Sequence, residues 1–176
     1  ADINLQNSDG STALMLAAGK GREQVVELLI RRGAEVNLQD SDGATALMNA
    51  ANEGHERVVE LLLQHGAEVN LQSSRGATAL MGAANGHERV VELLLQHGAE
   101  INLQANAGGH ERVVELLTAL MIAALRDHKR VVELLLQHRA EFNQQTSGGL
   151  TALMIAALQN HPAALHCLLR AGADTE

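Results

Sequence analysis

Histidine, cysteine and glycine are the residues of this sequence whose chemistry could support catalysis, metal binding or phosphate binding. The chain has nine histidines and a single cysteine, Cys167. In the segment His-Glu-Arg-Val-Val, Val59 occupies the position of the second histidine of the zinc motif His-Glu-x-x-His. His166 adjoins Cys167, but adjacent side chains on a helix point about 100° apart and do not face each other. We therefore predict a buried, inert cysteine and no metal site.

Eight of the nine histidines recur at two fixed positions of a repeating unit, which favours a structural role in turns and at helix ends. The two sets are His55, His87, His110, His128 and His161, and His65, His97 and His138. No glycine-rich loop has the phosphate-binding pattern, and the Gly108-Gly109 and Gly148-Gly149 pairs favour turns. The sequence therefore predicts no catalytic, cofactor-binding or metal-binding residue, and no enzyme.

The composition disfavours several classes of protein. Of the 176 residues 46% are hydrophobic, but one Phe and no Trp or Tyr leave a core of smaller aliphatic side chains, which favours many thin layers. A formal net charge of -8 disfavours nucleic acid and anionic membranes as partners. No apolar run approaches the length that spans a bilayer. One cysteine excludes an internal disulfide framework and favours a reducing compartment, the cytoplasm for a natural protein.

A repeat of 33 residues organises the whole chain. The tripeptide Thr-Ala-Leu begins at five positions spaced by 33, 33, 40 and 33 residues: Thr12, Thr45, Thr78, Thr118 and Thr151. All five methionines follow it at one position of the unit. Residues 54–68 and 86–100 are identical. An array of similar stacked units is therefore expected instead of a single globule.

Each unit is predicted to contain two helices. In the second unit, Thr45 is a suitable N-cap for a short helix of small residues over 46–51. Gly54 allows a tight turn, and a second helix follows over 55–65. Gly66 then serves as a left-handed C-terminal cap. An extended stretch and a turn complete the unit.

The apolar pattern of the second helix requires neighbours on both sides. Val58, Val59 and the leucines at 61–63 cover too wide an arc of the helix for one partner to bury. Burying each Leu or Val contributes roughly 1.5–3 kcal/mol, so the units become stable only when adjacent units cover each other.

The segments Thr-Ala-Leu-Met-x-Ala-Ala, Gly-His, Val-Val-Glu-Leu-Leu-Leu and Gly-Ala-Glu-Val-Asn, at a period of 33, closely resemble the ankyrin repeat. The resemblance implies an all-α solenoid of stacked helix pairs with β-turn fingers. It implies a single array over residues 1–176, in which residues 1–6 are the tail of a truncated repeat. The five units span about 7–39, 40–72, 73–104, 105–145 and 146–176. In every unit, Ala replaces the family's Pro and Met replaces its His.

The resemblance implies a non-catalytic scaffold that binds another protein through its fingers and first helices. The surface expected to contact that partner consists of Asp42, Ala44, Asn49, Asn52, Glu53, Arg75, Ala77, Gly82 and Asn85. It is small and polar and has no Tyr or Trp anchor, so we expect weak binding or none. The alternatives are a structural or self-associating fragment of a longer array and an engineered or ancestral-type ankyrin chain without a dedicated partner.

The resemblance also points to one modification. In some ankyrin arrays an asparaginyl hydroxylase modifies a turn asparagine, and the matching residues here are Asn37, Asn70, Asn102 and Asn143. The alternative is that these amides only form hydrogen bonds in the turns.

The fourth unit carries an eight-residue insertion before Thr118. Residues 109–117 copy residues 86–94, the start of a second helix, and no Gly or Pro separates Leu117 from Ala124. These features predict one long helix from about His110 to Leu125 that exposes an apolar patch. The patch consists of Val113, Val114, Leu116 and Leu117, and it predicts a homodimer through the 105–117 insert. The alternatives are a segment folded back on the array and a loop.

Two smaller irregularities affect the turns. The third unit lacks one residue between its helices, so we expect a tighter turn at Gly86. Arg139 replaces the glycine that the other units have at this position, namely Gly33, Gly66, Gly98 and Gly172. A left-handed residue other than glycine costs on the order of 1 kcal/mol, so we expect this helix end to be reshaped.

Overall fold

The computed structural model describes residues 2–106 and 116–173. Within these ranges the chain forms ten helices and one pair of two-residue strands. The elements in chain order are α1 Ala13–Gly19, α2 Glu23–Arg31, α3 Ala46–Asn52, α4 Glu56–Gln64, α5 Ala79–Ala83, α6 Glu88–Gln96, β1 Ala105–Asn106, β2 Leu116–Leu117, α7 Ala119–Leu125, α8 Lys129–Gln137, α9 Ala152–Leu158 and α10 Pro162–Ala173. None of the described helices has the length and apolar character needed to span a membrane.

The helices form two layers, as the repeat predicts. The odd-numbered helices α1, α3, α5, α7 and α9 pack on one another in sequence, and the even-numbered helices α2 to α10 form the second layer. Each unit joins one helix of each layer, so the core runs along the array between the layers. The chain is thus a solenoid of helix pairs, in which each unit packs against its neighbours.

The predicted N-caps are confirmed in all five units. Thr45 is extended, and its hydroxyl accepts a hydrogen bond from the Met48 backbone N–H at 3.2 Å. The threonines at the other four units make the same bond at 3.3–3.4 Å. The second helices begin without a side-chain cap at His55, His87 and His128. The first helix of each unit therefore has a side-chain cap that these three second helices lack.

The insertion before Thr118 does not form the predicted long helix. Leu116 and Leu117 are extended and pair antiparallel with Asn106 and Ala105. Thr118 is also extended (φ -95°, ψ 167°), and helix α7 begins only at Ala119. In the second and third units the corresponding finger closes with one backbone bond, such as Ser73 N–H to the Ala77 carbonyl at 2.9 Å. The β1–β2 pair closes the finger at that same position, whereas residues 107–115 lie outside the described residues.

The paired strands at the base of the finger are more stable here than a continuous helix, because that helix would lose two interactions that recur along the array. These are the threonine cap at Thr118 and the closure of the finger base. Leu117 is buried, so its predicted exposure is wrong. Val113, Val114 and the side chain of Leu116 lie outside the described residues. The apolar patch and the homodimer therefore stay predictions for those positions alone.

Of the two predictions about irregular turns, the one for the third unit is confirmed and the one for Arg139 is wrong. Helix α5 is two residues shorter than α3, and the His87 N–H bonds the carbonyl four residues back instead of five, so the tighter turn is confirmed. The reshaped helix end at Arg139 is wrong. Arg139 keeps a left-handed φ of 65°, and Ala140 N–H bonds the Leu135 carbonyl at 3.0 Å, as glycine ends do. Gly172, in contrast, lies inside α10 instead of after its end.

Replacing Arg139 with glycine is expected to raise the free energy of unfolding by about 1 kcal/mol, because the left-handed backbone is kept and only its steric cost is removed. Urea titration followed by circular dichroism measures the change. A loss of stability would show that the Arg139 side chain makes a favourable contribution that outweighs this cost.

Candidate functional site

A groove runs between the fingers of the second and third units and the odd-numbered helices of the first four units. Its volume is about 700 Å³. All nine residues that the sequence analysis assigned to a partner surface line it: Asp42, Ala44, Asn49, Asn52, Glu53, Arg75, Ala77, Gly82 and Asn85. The structure therefore brings these residues together on one concave surface.

The fingers are held in shape by side-chain caps and by bonds between units. One carboxylate oxygen of Asp40 accepts the backbone N–H groups of Asp42 and Ala44 at 3.0 and 2.8 Å. The hydroxyl of Ser73 does the same one unit later, for Arg75 and Ala77. The Ser74 N–H also bonds the Asp42 carbonyl at 2.8 Å. Because consecutive fingers are bonded, the groove wall is preorganised and loses little conformational entropy on binding.

The floor of the groove includes amide and small side chains from α3, α5 and the residues that follow them. Asn52 donates to the Glu53 carboxylate at 3.0 Å, and Asn85 donates to the Gly82 carbonyl at 3.1 Å. A side chain at Gly82 would meet the Asn52 backbone at 3.2 Å. Glycine at this position therefore lets α3 and α5 approach closely and keeps the middle of the groove open.

The sequence analysis missed the two apolar ends of the groove. Leu16 lies at one end and Ile122 at the other, with Lys20 beside Leu16 in the first unit. Both apolar residues occupy the variable position of Thr-Ala-Leu-Met-x, where the two middle units have Asn49 and Gly82. Comparing that one position across the five units would have found them. The groove therefore has a polar middle between apolar ends.

The family model of ankyrin repeats, as three copies, matches residues 1–73, 25–105 and 106–176. The chain belongs to the ankyrin repeat family. No curated protein matched the chain when the sequences were compared. Ankyrin repeats are in general modules of protein–protein interaction and are typically non-catalytic. The chain therefore belongs to a family whose general role is to bind other proteins.

Several repeat histidines of this ankyrin array bond backbone carbonyls, as their predicted structural role requires, whereas His110 lies outside the described residues. His87 Nε2 donates to the Asn52 carbonyl of the preceding unit at 2.9 Å, and His55 reaches Gly19 in the same way at 3.3 Å. His65, in the second set, bonds the Leu61 carbonyl of its own helix at 2.8 Å. Within 2–106 and 116–173, no three His, Cys, Asp or Glu residues form a group that could hold a metal ion.

The turn asparagines connect adjacent ankyrin units. Asn37 accepts the Glu68 N–H at 2.9 Å and donates to the Gly66 carbonyl at 3.0 Å. Asn70 bonds Glu100 and Gly98 in the same way. Both sides of the Asn37 and Asn70 amides are thus engaged in bonds between units, and hydroxylation of the turn asparagines stays a prediction.

Cys167 is buried on α10, as predicted. Burial raises the pKa of the Cys167 thiol, and the nearby Glu133 carboxylate, 3.8 Å from Sγ, raises it further. A raised thiol pKa leaves little thiolate at neutral pH. The cysteine therefore has the properties of an unreactive core residue.

Proposed function

We propose that the chain is a non-catalytic scaffold that binds another protein in the groove between its fingers and odd-numbered helices. The observation that carries this proposal is the convergence of nine predicted contact residues on one preorganised groove. The hydrogen bond between neighbouring fingers holds the wall of the groove in place. The small residues Ala44, Ala77 and Gly82 leave room in the groove for a ligand.

The lining supports a partner segment with polar groups in its middle. Asn49 and Asn52 offer both donors and acceptors, which suits the backbone of an extended peptide. Asp42, Glu53 and Arg75 add charges of both signs. The groove has no Tyr or Trp, the residues that most often dominate binding energy, so the expected Kd is about 1 μM or weaker.

The proposal is tested in two steps. A partner protein is first recovered, and its affinity is then compared for two variants that carry the same charge reversal inside and outside the groove. Proteins retained by the chain from cell extracts are identified and purified, and their Kd is measured by calorimetry. Arg75→Glu, in the groove, is expected to weaken binding by about tenfold or more. Arg57→Glu, on the exposed side of α4, makes the same charge change outside the groove and is expected to leave the Kd within about twofold.

Three results would overturn the proposal or part of it. Equal effects of the two variants would place the partner outside the groove. Failure to retain any protein would favour the alternatives of a structural fragment or an engineered chain without a dedicated partner. A partner that binds with a nanomolar Kd, and whose binding Arg75→Glu abolishes, would support the groove as the binding site but contradict the expected weak binding.

A further inference from the structure

Ile122 of α7 is partly open to the groove, although the repeat buries the same position one unit later. Ile122 lines the groove and is only partly buried, whereas the equivalent Ile155 of α9 is 6% exposed. Helix α7 lies inside the array, with α5 on one side and α9 on the other. The exposure of Ile122 therefore does not depend on where the chain begins or ends.

The residue that faces this position from the preceding unit differs between units. A side chain at Gly82 would meet the Asn52 backbone at 3.2 Å, and a side chain at Gly19 would meet Asn49 at 3.5 Å. The variable residue of each first helix thus faces the residue three positions later in the unit before it.

This spacing places Leu125, a large apolar residue, opposite Ile155, but Asn85 opposite Ile122. The Asn85 amide donates to the Gly82 carbonyl of its own unit at 3.1 Å. Helix α5 is also two residues shorter than α3 and packs less closely on α7 than the other first helices pack on one another. The junction of α5 and α7 therefore leaves a recess on the groove side. We call it the Ile122 recess, after the apolar side chain that lines it.

A cationic side chain lines the groove in the adjacent unit. Arg75 is exposed on the finger of the third unit, and a side chain at Gly76 of that finger would meet the Ala105 Cα at 3.4 Å. The finger therefore borders the start of the fourth unit. No carboxylate of the described residues pairs with Arg75, whereas Arg57 and Arg89 of the even-numbered helices each pair with a glutamate. The charge of Arg75 is thus available to a ligand in the groove.

We propose that the groove binds an extended segment of a partner protein that places an aliphatic side chain in the Ile122 recess and a carboxylate on Arg75. This inference rests on the proposed function and names the chemistry that the groove selects. Packed helices of adjacent units are about 8–10 Å apart and an extended chain advances about 3.3 Å per residue, so the two partner residues are about three positions apart. Burial of the aliphatic side chain supplies affinity, and the ion pair supplies orientation.

Selection of phage-displayed peptides on the full chain tests this inference. Random peptides of about 12 residues are long enough to span the groove. Multivalent display recovers weak binders, which suits the expected Kd of about 1 μM or weaker. The selected sequences are expected to share an aliphatic residue about three positions from Asp or Glu. One such peptide is synthesised with a fluorescent label, and its Kd is measured by fluorescence polarisation.

Changes in both molecules separate the two contacts. Arg75→Glu is expected to weaken the peptide about tenfold and to prefer a peptide whose acidic residue is changed to Lys. Ile122→Asn, which introduces the residue type of Asn49 at the same repeat position, is expected to weaken the peptide about tenfold. It is expected to have no such effect on a peptide whose aliphatic residue is changed to Ser.

Ile30→Asn is the matched control for the Ile122 recess. It makes the same change at a partly buried isoleucine outside the groove and is expected to leave the Kd within about twofold. Circular dichroism checks the fold of each variant. Equal losses of affinity in Ile30→Asn and Ile122→Asn would show that lost stability, and not a contact with the peptide, weakens binding, and would contradict the recess.

The remaining outcomes distinguish this inference from the proposed function. No enriched peptides, or enriched peptides without the expected pattern, would overturn the inference. The groove itself would still be judged by Arg75→Glu and Arg57→Glu with a partner from cell extracts. A loss of affinity in Arg75→Glu without one in Ile122→Asn would support binding in the groove but exclude the Ile122 recess.

Discussion

Leu61→Ala is expected to lower the free energy of unfolding by about 2–5 kcal/mol, whereas Leu28→Ala, at the same position of the preceding unit, costs less than about 1 kcal/mol. Leu61 is buried between α4 and its neighbours, and its removal leaves a cavity. Leu28 faces solvent because no described residue precedes α2 on that side. The difference measures how much stability one neighbouring unit supplies at a single position.

Both variants are measured by urea unfolding, followed by circular dichroism, at a protein concentration low enough to keep the chain monomeric. The chain offers this comparison with the same side chain and the same substitution on two equivalent helices. Equal losses at the two positions would contradict a stability that depends on contacts between adjacent units.

Gly54→Ala is expected to cost about 2–4 kcal/mol, more than the equivalent change at a glycine that has no neighbour. Gly54 has a φ of 73°, and a side chain there would overlap the ring of His87. That ring is held by its bond to the Asn52 carbonyl, so it cannot move away without losing the bond. The expected loss combines a left-handed backbone cost of about 1 kcal/mol with overpacking of about 1–3 kcal/mol.

Gly66→Ala is the matched control for this prediction. Its φ of 84° is also left-handed, but nothing lies within 4 Å of the new side chain. This variant is therefore expected to lose only the backbone cost of about 1 kcal/mol. Thermal unfolding of both variants gives the comparison. If Gly54→Ala costs no more than Gly66→Ala, the close approach of His87 does not restrict this turn.

The sequence alone predicted the helical units and most of their ends correctly, since these depend on residues close together in the chain. Thr45 caps a helix three residues away, and its four counterparts do the same. The apolar arc of Val58 to Leu63 indicates neighbours on both sides, and burial of those side chains confirms it. Repetition strengthens such signals because the same local argument applies in each unit.

The sequence also predicted which residues line the middle of the groove, through the resemblance to ankyrin repeats. It missed Leu16 and Ile122 because they belong to the first and fourth units, outside the two units considered. Whether side chains from four units share one concave surface depends on how the units stack, and local residue patterns do not contain that information.

Only the tertiary structure showed which conformation the chain takes just before Thr118 and how the helix before Arg139 ends. Residues 109–117 copy a helix, yet Leu116 and Leu117 pair with Asn106 and Ala105, and Thr118 caps α7. Arg139 keeps the left-handed backbone that local preference disfavours, because the fourth unit must turn as its neighbours do. In both places, contacts repeated along the array outweigh a local preference of about 1 kcal/mol, since each unit is stabilised mainly by the units on either side.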